Sequence, residues 1–94
     1  MSDLSKQINI GKETEARLLQ VGIMSYGDLV SMGAESAFIR LRIVDSGACL
    51  SLLYGLEGSI EGVPWRKLPE YRKAELRDFF NQLQRTQNPH LTTS

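Results

Sequence analysis

The chain has 94 residues, which suits one domain of ordinary size and is too short for two. Apolar residues make up 41% and charged residues 23%, a balance that excludes intrinsic disorder over most of the length. Eleven basic and eleven acidic residues cancel to a formal charge of zero, so the strong basic footprint of a dedicated nucleic-acid binder is missing. The charges are nonetheless uneven: residues 1–60 carry net −2 and residues 61–94 net +2. Cys49 is the single cysteine. An intramolecular disulfide is therefore impossible, a thiol-only metal site is excluded, and a reducing compartment is expected. Met1 to Lys6 contains no apolar signal region, and no run approaches the ~18–20 apolar residues of a membrane span. The expected location is cytoplasmic, away from membrane.

The first helix is predicted from Lys12 to Val21. Ile10, Thr14, Leu18 and Val21 recur at helical spacing, Glu13 and Glu15 suit the positive end of the helix dipole, and Gly22 suits a left-handed cap. Ser25-Tyr26-Gly27-Asp28 reads as a capping box opening a short helix through Leu29, Val30 and Met32, closed by Gly33. A third helix is expected from Ala34 to about Val44, with Ala34, Ala37, Phe38, Leu41 and Val44 as its apolar stripe and Arg40 and Arg42 outside it. After Asp45-Ser46-Gly47 a fourth helix places Cys49, Leu52, Leu53, Leu56 and Ile60 on one face. Gly55 and Gly58 inside it each cost ~1 kcal/mol of propensity, which is explained if another helix packs on their bare backbone. Gly62-Val63-Pro64 breaks the chain. A last helix begins near Pro69, buries Arg72 (through its stem), Leu76, Phe79, Phe80 and Leu83, and fades near Arg85. No alternating strand run is present. The expected architecture is all-α, a single compact bundle of about five short helices over residues 1–85, with residues 86–94 as a flexible tail.

Enzyme constellations are missing from the sequence. His90 is the only histidine and falls in the expected tail, Cys49 falls on an apolar stripe where a buried core thiol is expected, and Asp and Glu are scattered. No metal-ligand spacing, phosphate loop or dinucleotide fingerprint occurs, so no catalytic, cofactor or metal residue is expected. Two surfaces remain as candidates. Ile8-Asn9-Ile10-Gly11 fits the hydrophobic-Gly-hydrophobic-Gly turn of a helix-hairpin-helix, with Asn at the first glycine, where left-handed backbone is needed. Asn9, Gly11 and Lys12 could there contact a DNA phosphate through backbone N–H groups at a helix N-terminus. Glu13 and Glu15 beside the turn make that contact weak and non-specific. The other surface is Trp65, Arg66, Lys73 and Arg77. An aromatic beside cations can anchor a partner, whereas the bland alternatives are a Trp lid over the core and a solvated Lys73/Arg77 stripe. Tyr26 and Tyr71 are expected to pack with their hydroxyls in water.

One ordered set of segments runs through roughly residues 4–83: Ile8-Asn9-Ile10-Gly11, Leu18 to Ile23, Ser25 with Asp28-Leu29, and Gly33-Ala34. It continues with Leu52 to Gly62, Trp65, Leu68-Pro69 and Arg72 to Leu76. The most specific part is Gly55-Leu56-Glu57-Gly58-Ser59-Ile60-Glu61-Gly62 followed by Trp65 and Leu68-Pro69. This order resembles the C-terminal domain of the TfoX/Sxy family of bacterial competence regulators. The resemblance implies a compact helical domain with helix-hairpin-helix character and no catalytic residues. It also implies a part in switching on genes for DNA uptake in concert with the cyclic-AMP receptor protein. Full-length members carry an N-terminal domain that this sequence lacks, so a stand-alone relative or an excised domain is expected. The expected function is a non-enzymatic regulatory or adaptor domain working through protein contacts. Its partner is then the transcription machinery or a separate N-terminal-type domain, and weak DNA binding is the alternative.

Overall fold

The computed structural model describes residues 3–87, with side chains described for residues 3–85. Five α-helices follow one another: α1 (Lys12–Gln20), α2 (Tyr26–Met32), α3 (Ala34–Val44), α4 (Leu50–Glu61) and α5 (Glu70–Gln87). Single 3-10 turns precede α1 at Leu4–Lys6 and α5 at Trp65–Lys67. No strand occurs among the described residues. The all-α bundle expected from the periodicity is the observed fold, and α5 continues two residues beyond the expected end. His90 and residues 88–94 lie outside the described residues.

Local chemistry sets the boundaries. The α1 terminus closes in a Schellman arrangement: the Ile23 N–H reaches the Leu18 carbonyl at 3.0 Å and the Gly22 N–H reaches Leu19 at 3.1 Å. Gly22 holds φ +86 there, a region closed to most side chains. At α2 the Ser25 hydroxyl accepts the Asp28 N–H at 3.1 Å, and the Asp28 carboxylate reaches back to the Met24 N–H at 3.0 Å. The capping box is thus reciprocal, shifted by one residue on its return arm.

α4 is the axis of the core. Its residues from Leu53 to Ser59 are all buried, and α3 and α5 pack along it. Leu18, Leu29, Phe38, Leu41, Leu53, Leu56 and Leu76 close the interior, and Phe38 meets Phe80 at 5.9 Å in a tilted ring pair. Ala34, Ala37, Phe38 and Leu41 form the buried stripe of α3, but Val44 is exposed, because the chain turns away at Asp45. Cys49 is also exposed. It sits at the N-cap of α4, four residues before the first buried position, Leu53, so the expected core thiol is corrected.

Candidate functional site

The Ile8 to Lys12 turn follows the first 3-10 turn, so the leading arm of the hairpin is a single short turn of helix. Asn9 has φ 71, the left-handed conformation that the hairpin needs at this point. Ile10 is buried, whereas Gly11 and Lys12 are exposed at the start of α1. The Asn9 side chain is committed inward, because its amide donates to the Val63 carbonyl at 3.0 Å. This bond ties the hairpin turn to the segment leading into Trp65. The glycines of α4 take their meaning from the same junction. A methyl on Gly58 would stand 2.6 Å from the Asn9 amide nitrogen, 2.7 Å from the Val63 oxygen and 3.1 Å from the Trp65 Cα. The bare backbone thus receives two turns and not the helix expected from the sequence.

Trp65 is half-buried. Its ring stacks on Tyr54 of α4 at 5.6 Å with 24° between planes, and the Arg66 guanidinium lies 5.4 Å from its centroid. Arg77 donates to the Tyr54 hydroxyl at 3.1 Å, and Lys73 donates to the Arg66 carbonyl at 3.0 Å. Two side chains singled out in the sequence, Trp65 and Arg77, therefore meet at one residue, Tyr54, that was not singled out, while Arg66 lies on Trp65 and Lys73 on the Arg66 carbonyl. The structure corrects the solvated-stripe expectation for Lys73, whose side chain is only 17% exposed. Trp65 is a lid whose edge reaches the surface. Arg66, Lys67 and Arg77 are exposed and make no ion pair among the described residues.

A second polar cluster escaped the sequence reading. The Arg72 guanidinium is held by both oxygens of Glu35 at 3.0 Å, by Glu57 at 3.0 Å and by Glu75 at 3.2 Å. It joins α3, α4 and α5 at one point. The Arg72 hydrogen bond holds the Glu35 carboxyl below its usual range. Burial pushes Glu57 up, but Arg72 and a hydrogen bond with Glu61 outweigh it and hold Glu57 low, while Glu61 is raised by sharing that bond. Arg72 itself is held firmly protonated by Glu57 and Glu35. The cluster reads as a structural clamp, since each carboxylate is already satisfied by the guanidinium. The only legible signal was the placement of an arginine on an apolar helical stripe.

Tyr26 also departs from expectation. Its hydroxyl lies 2.9 Å from both the Ser59 and Ile60 carbonyls, its single proton shared between them, and so covers the end of α4. The exposed Cys49 thiol is lowered from its ordinary value by the Ser51 hydroxyl at 3.1 Å and by the Leu52 N–H. It edges a cleft of about 170 Å³ bordered by Arg17, Leu41, Asp45 and Leu52. Among the described residues no group of three or more His, Cys, Asp or Glu could hold a metal, and no helix is long and apolar enough to cross a membrane.

Comparison with known proteins agrees with the resemblance. The chain is 35% identical over 75 residues to Protein Sxy of Escherichia coli (strain K12). The match takes in 80% of this chain but 36% of that protein, so the chain spans about a third of its curated relative. Two crystal forms from Listeria monocytogenes share the fold at 41% identity. The triclinic form of an uncharacterised protein superposes with a TM-score of 0.84 over 86% of this chain and 92% of that one. The tetragonal form of a protein of unknown function gives 0.82 over 85% and 99%. The family model of the TfoX C-terminal domain matches residues 1–80. The chain belongs to the TfoX C-terminal domain family.

Proposed function

We propose that this domain is a non-enzymatic regulatory adaptor of the competence-regulator type, working in the cytoplasm through protein contacts on the Trp65 face. The observation that carries the reading is the chain of contacts in which Trp65 and Arg77 meet on Tyr54, Arg66 lies on the Trp65 ring and Lys73 holds the Arg66 carbonyl. A half-buried aromatic flanked by exposed cations is the composition of an interface anchor. Family membership supports the regulatory part. The partner is a component of the transcription machinery or a separate N-terminal-type domain. Affinity capture from native lysate tests this with wild type against the Arg66→Glu, Lys67→Glu double variant. Specific partners recovered by wild type are expected to be depleted in the variant. Identical recovery would sink the Trp65 face as the interface.

Direct DNA binding at the hairpin turn is the second reading, favoured by the exposure of Gly11 and Lys12 at the start of α1. Asn9 contributes its backbone alone, since Val63 holds its side chain. Titration with duplex DNA at two salt concentrations, with Lys12→Glu as control, distinguishes it. Affinity that falls steeply with salt and vanishes in the variant supports this reading. No binding at low salt removes it.

A further inference from the structure

We infer that the Trp65 face takes an acidic protein segment, with Arg66, Lys67 and Arg77 as its cation receptors; the inference rests on the protein-contact reading above. The distribution of satisfied charge points there. Arg17 is bound to Glu13 and Asp45, Arg72 to three glutamates, and Lys73 to Glu70. The Arg40 guanidinium is spent on the Val21 carbonyl. Several carboxylates elsewhere are spent on backbone: Asp3 on the Tyr26 N–H, Asp28 on Met24, and Asp45 on Gly47. Lys6, Lys12, Arg42 and Arg85 also lack a carboxylate among the described residues, but each stands on a different element, whereas around Trp65 such cations are grouped. Arg66, Lys67 and Arg77 are exposed with no carboxylate partner among the described residues. Close by, Glu70 is engaged by Lys73. Formal neutrality therefore hides a local group of cations that no carboxylate neutralises, although Arg77 also holds the Tyr54 hydroxyl and Arg66 lies on the Trp65 ring.

The number and setting of those cations choose the occupant. Three unpaired cations match a short run of carboxylates, whereas duplex binders commonly neutralise about 6–10 phosphates. Base stacking is also disfavoured, because Tyr54 and Arg66 already make the ring contacts of Trp65. An acidic segment instead meets the guanidinium and ammonium groups at the rim and lays an apolar side chain along the exposed edge of Trp65. Arg77 holds the Tyr54 hydroxyl and so keeps the platform beneath Trp65 in place.

Trp65 is the only tryptophan, so its own emission reports the site. The probe is a Glu-rich peptide with one Leu and no Trp or Tyr, titrated against a matched peptide with Gln in place of Glu. A saturable change with the Glu peptide alone, weakening as salt rises to about 0.15 M, is the expected result. Arg66→Glu with Lys67→Glu is expected to lower the affinity at least about tenfold with an unchanged circular dichroism spectrum. Lys67→Glu alone, on an exposed residue, serves if the double variant does not fold, with a smaller loss in the same direction. Equal response to the Gln peptide, no response to the Glu peptide, or a titration given by duplex DNA alone overturns the inference. The capture experiment separates its failure from that of the parent reading. A partner still lost from the double variant, with no Glu-peptide response, leaves the interface standing and its acidic chemistry refuted.

Discussion

Asn9 shows how one residue carries two separable demands. Its φ of 71 calls for a residue that tolerates left-handed backbone, and its amide fills the space over Gly58 while donating to Val63. Asn9→Gly keeps the backbone and loses the bond, a cost of about 1 kcal/mol. Asn9→Ala loses the bond and adds left-handed strain, so it should be about 1 kcal/mol less stable again, measured by urea unfolding. The reverse order would show that the turn is not held left-handed. Cys49 allows a second test at this scale. The Ser51 hydroxyl and the Leu52 N–H favour its thiolate, and the sulfur is open to solvent. It should react with a disulfide reagent in the native protein near neutral pH, and Ser51→Ala should slow that reaction. A core thiol would react only on unfolding.

The helices of this bundle are joined by few, specific devices, and the glycines of α4 are the sharpest. A methyl on Gly55 would meet Asn9 atoms at 3.6 and 3.8 Å, ordinary contact distances. Gly55→Ala should therefore gain up to about 1 kcal/mol from helix propensity. At Gly58 the approaches of 2.6 and 2.7 Å force Asn9 and Val63 apart, and the overpacking, about 1–3 kcal/mol, exceeds the same gain. Thermal melts of the two variants should thus move in opposite directions. The Arg72 clamp is the other joint. The pKa values of Glu35 and Glu57 lie below 4.5 in the folded chain. The unfolded chain then binds more protons in that window, so the clamp stabilises above pH 4.5 and is lost as pH falls through the folded values. Glu61, raised by Glu57, works in the opposite sense and softens the loss. Arg72→Met should cost about 2 kcal/mol, less than a fully buried pair because Glu35 and Glu75 are partly solvated, and should flatten the acid limb of stability against pH.

Across the whole molecule, the surface proposed for partner contact is separable from what holds the fold. Arg66 and Lys67 are exposed and outside ion pairs, so reversing both should leave unfolding stability within about 0.5 kcal/mol of wild type. Lys73 lies on the same side but is half-buried and tethers the Arg66 carbonyl, so Lys73→Ala should cost about 1 kcal/mol. Chemical denaturation of both variants checks the contrast. If the double reversal destabilises as much as Lys73→Ala, the Trp65 face is part of the scaffold. The hairpin turn and the Trp65 segment also act as one unit, because Asn9 and Val63 bind them over α4.

Helix positions, the all-α class and most core residues were legible in the sequence because they depend on contacts within a few residues. Apolar recurrence placed Leu18, Phe38, Leu41, Leu53 and Leu56 inside, and Gly22, Ser25 and Gly33 marked the ends. The left-handed turn at Asn9 was legible for the same local reason. What only the tertiary structure decided was where polar atoms found partners far along the chain. Asn9 and Val63 lie 54 residues apart, Arg72 and Glu35 lie 37 apart, and Tyr26 reaches Ser59 across 33. Periodicity records which face of a helix avoids water, but it says nothing of which distant acceptor a buried donor meets. For that reason Tyr54 was invisible as the centre of the candidate site, and Arg72 looked like an apolar stem and not a clamp. Trp65, Arg66, Lys73 and Arg77 could be named from their types alone. Their proximity follows from the packing of α4 against α5 and the turn between them, which brings Tyr54 against Trp65 and Arg77.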